Sequence, residues 1–418
     1  MRNSQPCSFF GFSVAKALAI FCAILALPLT APPLHSTASA QTITPVGPRM
    51  FGLTVDNVSD EVMPDIIKAI REIKGRSGLR PMVRVVFDFN DETFEAKKYQ
   101  FRPEDFIGEV KHYRQAILKI RAEADVMGEF IDSSAVYRCH YDPSPVRCYE
   151  ARIKAYAEGF RDVVEGLKDV VDVWEIGNEL NGEWVGWLEA SWSDPNVMFE
   201  QMLPVRRRVA KGVMETYRLL KQIKPDARTA LTFYYNSDTV NHGWTRDLKL
   251  NAEGKLVEYG HSYDLLEWVR DQRDLLPDVD YVFLSYYEDD NVGVRPNRND
   301  MNVSGIVKTL VDLARLFGTA QFGFGEFAPQ CNFDNVDCPG RKCRQCADAQ
   351  VSYIRRYYID LDNLVRAELT KPESGWSKDR VYVGGYFYWY FNSDVIRKKN
   401  KNTLKALKDV VSLYSRAR

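Results

Sequence analysis

Histidine is scarce in this chain. Five occur in 418 residues, and His112, His140, His242 and His261 are too scattered to offer the short ligand spacings of a zinc hydrolase. No G-x-S-x-G elbow of a serine esterase occurs. A P-loop is missing too, and no G-x-G-x-x-G follows the first strand-like run, so the familiar nucleotide cradles are excluded. No dense acidic loop of the D-x-D-x-D-G kind marks a calcium site. Charge is nearly balanced, 56 Lys and Arg against 57 Asp and Glu, so no basic field draws nucleic acid or a membrane surface. Internal repeats and low-complexity tracts are absent. No cofactor and no metal is implied.

The apolar run from Ala17 to Leu29 falls short of the roughly 20 residues that span a bilayer, and Pro28 breaks it. Arg2 and Lys16 precede it and Ala38-Ser39-Ala40 follow, the pattern of a secretory signal peptide over residues 1–40 cleaved after Ala40. Cys22 follows the bulky Phe21 inside the run, so a lipid anchor is not expected. The expected product is a secreted or periplasmic chain of residues 41–418 with no membrane anchor. Its length suits one large α/β barrel with loop insertions. Its oligomeric state is not readable. Six cysteines remain in it, an even number that suits an oxidising compartment. Cys139 and Cys148 bracket a turn-rich loop and are expected to pair. Cys331, Cys338, Cys343 and Cys346 form a cluster that suits two disulfides, with the C-x-x-C spacing of a zinc knot as the alternative.

From Thr42 onward, β-rich runs alternate with amphipathic stretches of helical period, the mark of a parallel sheet covered by helices. The eight runs are Met50–Val55, Met82–Asp88, Asp125–Asp132, Val171–Glu179, Thr229–Asn236, Tyr281–Tyr287, Gln321–Ala328 and Tyr382–Phe391. Helical patterns such as D-I-I-K-A-I-R-E-I-K accompany them. Eight β/α units in one domain predict a single (β/α)8 TIM barrel, with a Cys-rich insertion after the seventh strand. A doubly wound sheet is the rival, and it lacks its Gly-rich turn.

Active sites of such barrels lie at the C-terminal ends of the strands. There the fourth run, V-D-V-W-E-I-G-N-E, delivers Glu179, and the seventh, F-G-F-G-E-F-A, delivers Glu326. Two carboxylates on rigid elements are what glycoside hydrolysis requires. Asn178-Glu179 ending the fourth run and Glu326 near the end of the seventh resemble the clan A glycoside hydrolases in residue type, order and strand number. That resemblance implies a retaining enzyme in which Glu179 is acid/base, Glu326 is nucleophile and Asn178 binds the sugar 2-hydroxyl.

Supporting residues follow from the same resemblance. Arg84 on the second run corresponds to the clan's strand-two arginine, which holds the nucleophile ionised. A buried arginine needs a partner in any case, and Glu175, on the same alternation as Glu179, is the alternative one. Tyr286 or Tyr287, in L-S-Y-Y-E-D-D, takes the place of a tyrosine that hydrogen-bonds the nucleophile, and alternation does not separate the two. Trp389 resembles the aromatic platform beneath the sugar, with a core position as the other reading. Trp184, Trp187 and Trp192 after the fourth run, and His242 and Trp244 after the fifth, line the cleft or pack their own loops. Glu129, Glu288, Asp289 and Asp290 are rival carboxylates that would shape substrate charge preference or bind a cation.

G-N-E-x-x-G-x-W resembles the arabinofuranosidase branch, L-S-Y-Y the galactanase branch and G-E-F several endoglucanase-like families. No family within the clan and no sugar follow from these. The expected partner is a carbohydrate, cleaved at β-glycosidic or α-L-arabinofuranosidic bonds. The alternative is a barrel that binds glycan without cleaving it.

Overall fold

A computed structural model of the chain describes residues 47–87, 107–130, 145–182, 195–235, 246–250, 256–260, 265–286, 303–318, 321–327 and 351–416. Eight parallel strands close a barrel: β1 (Met50–Val55), β2 (Met82–Phe87), β3 (Asp125–Phe130), β4 (Val173–Glu175), β5 (Arg228–Tyr235), β8 (Tyr281–Tyr286), β9 (Gln321–Glu326) and β10 (Val381–Tyr388). Between β5 and β8 lies an antiparallel hairpin of β6 (Arg246–Leu250) and β7 (Leu256–Gly260). The barrel is the expected (β/α)8 fold. The hairpin was not expected, because its short strands carry no run of β-branched residues.

Strands covered on both faces read as nearly continuous apolar runs, and M-V-R-V-V-F on β2 is buried at every position. The helices between them are α1 (Met63–Lys74), α2 (Ile107–Arg121), α3 (Pro145–Leu167), α4 (Pro195–Ile223), α5 (Leu265–Gln272), α6 (Val303–Leu316), α7 (Asp362–Leu369) and α8 (Lys401–Arg416). On α6, Ile306, Val307, Leu310, Val311, Leu313 and Ala314 recur at helical spacing and are the buried face. Among the described residues no helix is long and apolar enough to cross a membrane.

Alternation splits each strand between two layers. The barrel interior is floored by Met82, Met127, Val173, Ala230, Tyr281, Phe283, Val383 and Phe387. The opposite faces join the larger core between strands and helices. Behind β9 and β10 that outer layer is almost wholly aromatic. The Phe324 ring stacks on Tyr386 with centroids 4.6 Å apart, and Phe327 meets Tyr357 and Tyr358 at 4.9 Å each. Tyr357 and Tyr358 come from a π-helical turn, Arg356–Leu361.

Candidate active site

Above the apolar floor the interior turns polar, and the side chains that converge there are Arg84 from β2, Glu129 from β3, Glu175 from β4 and Glu326 from β9. All four are buried. The Arg84 guanidinium is the hub. Its Nε lies 3.0 Å from Glu129 Oε2, its Nη1 3.4 Å from Glu175 Oε2, and its Nη2 2.5 Å from Glu326 Oε1. Nη1 also donates to the Gly325 carbonyl at 3.4 Å. Trp389 lies against the same group, its ring centroid 5.0 Å from Cζ. Both partners foreseen for Arg84 are therefore present, and Glu129 is a third. Glu129 does not stand as an open cation ligand, because the guanidinium already occupies the point on which the carboxylates converge.

Burial by itself would lower the affinity of Arg84 for its proton, but Glu129, Glu326 and Glu175 hold it well above the ordinary value. Glu175 too is displaced upward, away from a free carboxylate. Burial pushes it up to about 7 against the pull of Arg84 and of the Thr232 hydroxyl, which donates to its Oε1, and the charge of Glu326 pushes in the same direction as burial.

A bulge sets Glu326. By simple alternation it would face outward with Phe322 and Phe324, into the aromatic layer. The β8–β9 register instead runs from Leu284 opposite Phe324 directly to Ser285 opposite Glu326, so Gly325 and Glu326 together answer one residue of the partner. Both then face inward. Gly325 has to be small, since a Cβ there would lie 2.8 Å from Thr232 Oγ1 and Cγ2 and 3.0 Å from Phe283 Cβ. Gly325→Ala is expected to destabilise the fold by about 1–3 kcal/mol through overpacking, measured as a lower midpoint in thermal unfolding. An unchanged midpoint would show that the bulge relaxes freely.

The fourth strand is shorter than its sequence suggests. Regular pairing with its other neighbour, β3, ends at Glu175, while Ile176 N still donates to Ala230 O and Thr232 N to Gly177 O on β5. After that the chain turns. Asn178 is buried and its Nδ2 donates to Glu326 Oε1 at 2.6 Å, so that one oxygen receives both Asn178 and Arg84. Glu179 adopts φ +43, a left-handed conformation uncommon for glutamate, and its carbonyl accepts from Gly182 N. Backbone held in such a region is characteristic of functional sites.

Asn181 fixes the turn from behind. Its Nδ2 donates to Tyr234 O, and its Oδ1 accepts from Tyr234 N, both at 2.8 Å. The side-chain amide thereby imitates one residue of strand pairing. An asparagine two residues beyond a strand-end Glu is the one sequence signal of this turn chemistry.

Tyr286 requires a correction. Its ring lies in the outer layer, 5.7 Å from Tyr235, 5.8 Å from Tyr357 and 6.3 Å from Phe324 between centroids. Ser285, one residue earlier, is the neighbour that faces in, so the Tyr286 ring does not stand beside Glu326 inside the barrel. Tyr287, Trp184, His242 and Trp244 lie outside the described residues, as do Cys139, Cys331, Cys338, Cys343 and Cys346. Cys148 is buried on α3.

No family model and no curated protein matches the chain. Among solved structures, the virulence factor SghA from Agrobacterium tumefaciens aligns with a TM-score of 0.50 at 12% identity, covering 87% of this chain and 97% of that one. A β-glucosidase from Thermotoga maritima in complex with deoxynojirimycin aligns at 0.49 and 11%, covering 84% and 90%. The AHE enzyme from Alicyclobacillus herbarius gives 0.48 and 11%, covering 82% and 88%. At such identities the likeness is one of fold.

Proposed function

We propose that this chain is an exported retaining glycoside hydrolase that cleaves β-glycosidic or α-L-arabinofuranosidic bonds in a poly- or oligosaccharide. The observation that carries the reading is the seating of Glu326. A buried carboxylate at the C-terminal end of a barrel strand is aimed inward by a bulge, and the Asn of the adjoining Asn178-Glu179 pair is hydrogen-bonded to it. Arg84 stabilises its charge. Glu179, on the turn after β4, is the acid/base.

In the first step Glu326 attacks the anomeric carbon, the glycosidic bond breaks, and Glu179 gives its proton to the leaving oxygen. In the second, Glu179 takes a proton from water, which attacks the same carbon and releases Glu326. Two displacements retain the configuration. Trp389, beside Arg84, offers a ring face to the sugar in the cleavage subsite. Export through the leader at residues 1–40 and pairing of the six remaining cysteines belong to the same proposal.

The test is hydrolysis of aryl β-glycosides, aryl α-L-arabinofuranosides and a panel of polysaccharides, with Glu326→Gln as control and the anomeric form of the first product followed by NMR. Turnover with retention, lost in the control, is the expected result. Retention also reads the spacing of the two carboxyl groups, since the double displacement needs them about 5–5.5 Å apart. An inverted product would remove Glu326 from the role of nucleophile. Equal glycan binding by both proteins without turnover would make the barrel a binding module.

A further inference from the structure

Three carboxylates share one guanidinium, and all four side chains are buried. With every group ionised, Arg84, Glu129, Glu175 and Glu326 would hold two uncompensated negative charges, which burial makes costly. Arg84 is not shared equally. Glu326 and Glu129 lie at 2.5 and 3.0 Å, while Glu175 stands at 3.4 Å and shares Nη1 with the Gly325 carbonyl. Glu175 is thus the farthest of the three from the guanidinium. It has other polar company, with Thr232 of β5 donating to it and Asn178 near enough to hydrogen-bond it. Tyr156 of α3 feels its charge from the outer layer, with its hydroxyl donating to the Ile176 carbonyl. Among the described residues, the titratable and charged groups that act on Glu175 or lie close to it are Arg84, Glu129, Glu326 and Tyr156.

We propose that Glu175 is a positioning residue for the nucleophile, carrying a proton while Glu326 is ionised and giving it up when the charge on Glu326 is removed. While protonated, it leaves the charge of Arg84 to Glu326 and Glu129. The displacement of its titration to about 7, caused by burial first and by Glu326 in addition, agrees with this placement.

The catalytic consequence rests on the reading of Glu326 as nucleophile. When an oxygen of Glu326 bonds the anomeric carbon, the glycosidic bond breaks and the proton of Glu179 leaves with the departing alcohol. Glu326 is then a neutral ester. Arg84 turns to Glu129 and Glu175, and the Glu175 proton passes to solvent. Hydrolysis of the ester restores the carboxylate, and Glu175 takes a proton back.

The exchange is testable without any substrate. Carboxyl carbon NMR of the full protein with labelled glutamate, assigned through Glu175→Gln, follows Glu175 across pH in wild type and in Glu326→Gln. Glu175 is expected to titrate near neutrality in wild type and about one to three pH units lower in Glu326→Gln. An ordinary carboxylate titration in wild type, or the same titration in both proteins, would overturn the proposal. If Glu326→Gln does not fold, thermal midpoints of wild type and Glu175→Gln across pH decide instead. A carboxyl raised in the folded state lends stability at low pH that is lost as pH rises through its folded value. Wild type should therefore lose stability relative to Glu175→Gln between about 4.5 and about 7, from the ordinary to the raised value. Parallel profiles would overturn it. A protein that hydrolyses nothing but shows the shift would overturn the proposed function and leave the proton exchange standing.

Discussion

Alanine at Glu326 is expected to abolish turnover, with a loss on the order of 10⁶-fold, the scale seen when a covalent nucleophile is removed. Azide should then restore part of the rate on an activated aryl glycoside. The small anion enters the space of the missing carboxylate and attacks the anomeric carbon from the same side, giving a glycosyl azide of inverted configuration. Glu179→Ala should behave differently. Losing the proton donor costs about 10²–10⁴-fold where the leaving group needs protonation, and little where it departs unaided. Rates on a series of aryl leaving groups, with NMR of any azide product, check both halves. If neither substitution shows its pattern, Glu326 and Glu179 do not hold these roles.

Arg84→Met should lower stability by about 3–5 kcal/mol at neutral pH, the cost of orphaning a buried ionic partner. The methionine replaces much of the arginine's volume, so the loss reports charge more than cavity. It should shrink in mildly acidic solution as the orphaned carboxylates take up protons and cease to repel one another. Urea unfolding at the two conditions measures it. A deficit that does not change with pH would mean that packing against Trp389, not charge balance, is what Arg84 contributes. Adding Glu129→Gln to Arg84→Met should recover part of the neutral-pH deficit, because the two positions belong to one network.

The barrel was legible because its information is local. β-branched runs and amphipathic helices such as D-I-I-K-A-I-R-E-I-K repeat in step, and strand order follows from chain order. Asn178, Glu179 and Glu326 were legible as motif residues near strand ends. What stayed hidden depends on how neighbouring strands are staggered. Glu129 shares a face with Met127, and Arg84 with Met82, yet their meeting is fixed by the β2–β3 register. The bulge at Gly325 belongs to the pairing of β8 with β9. Strict alternation would have turned Glu326 away from the site, and the glycine before it was the only local sign. The choice between Tyr286 and its neighbour was hidden for the same reason, since a one-residue change of phase moves a side chain from one layer to the other. The early end of β4 was masked by apolar residues that continue past it. Ile176 remains buried although the strand has ended.

Rings wall the back of β9. Phe324 is stacked on Tyr386, and Phe327 is wedged among Tyr357, Tyr358 and Tyr388, while the Tyr358 hydroxyl is anchored on the Gly52 carbonyl at 2.6 Å. For the strand to hinge, these rings would have to swing together through a close-packed layer that has little empty space to receive them. Amide hydrogen exchange along this strand is therefore expected to need nearly global unfolding, the most protected end of the range that separates fraying segments from cores. The backbone that carries Glu326 is backed by that layer along its outer side. In the proposed glycosidase, a substrate would meet that carboxylate already in place.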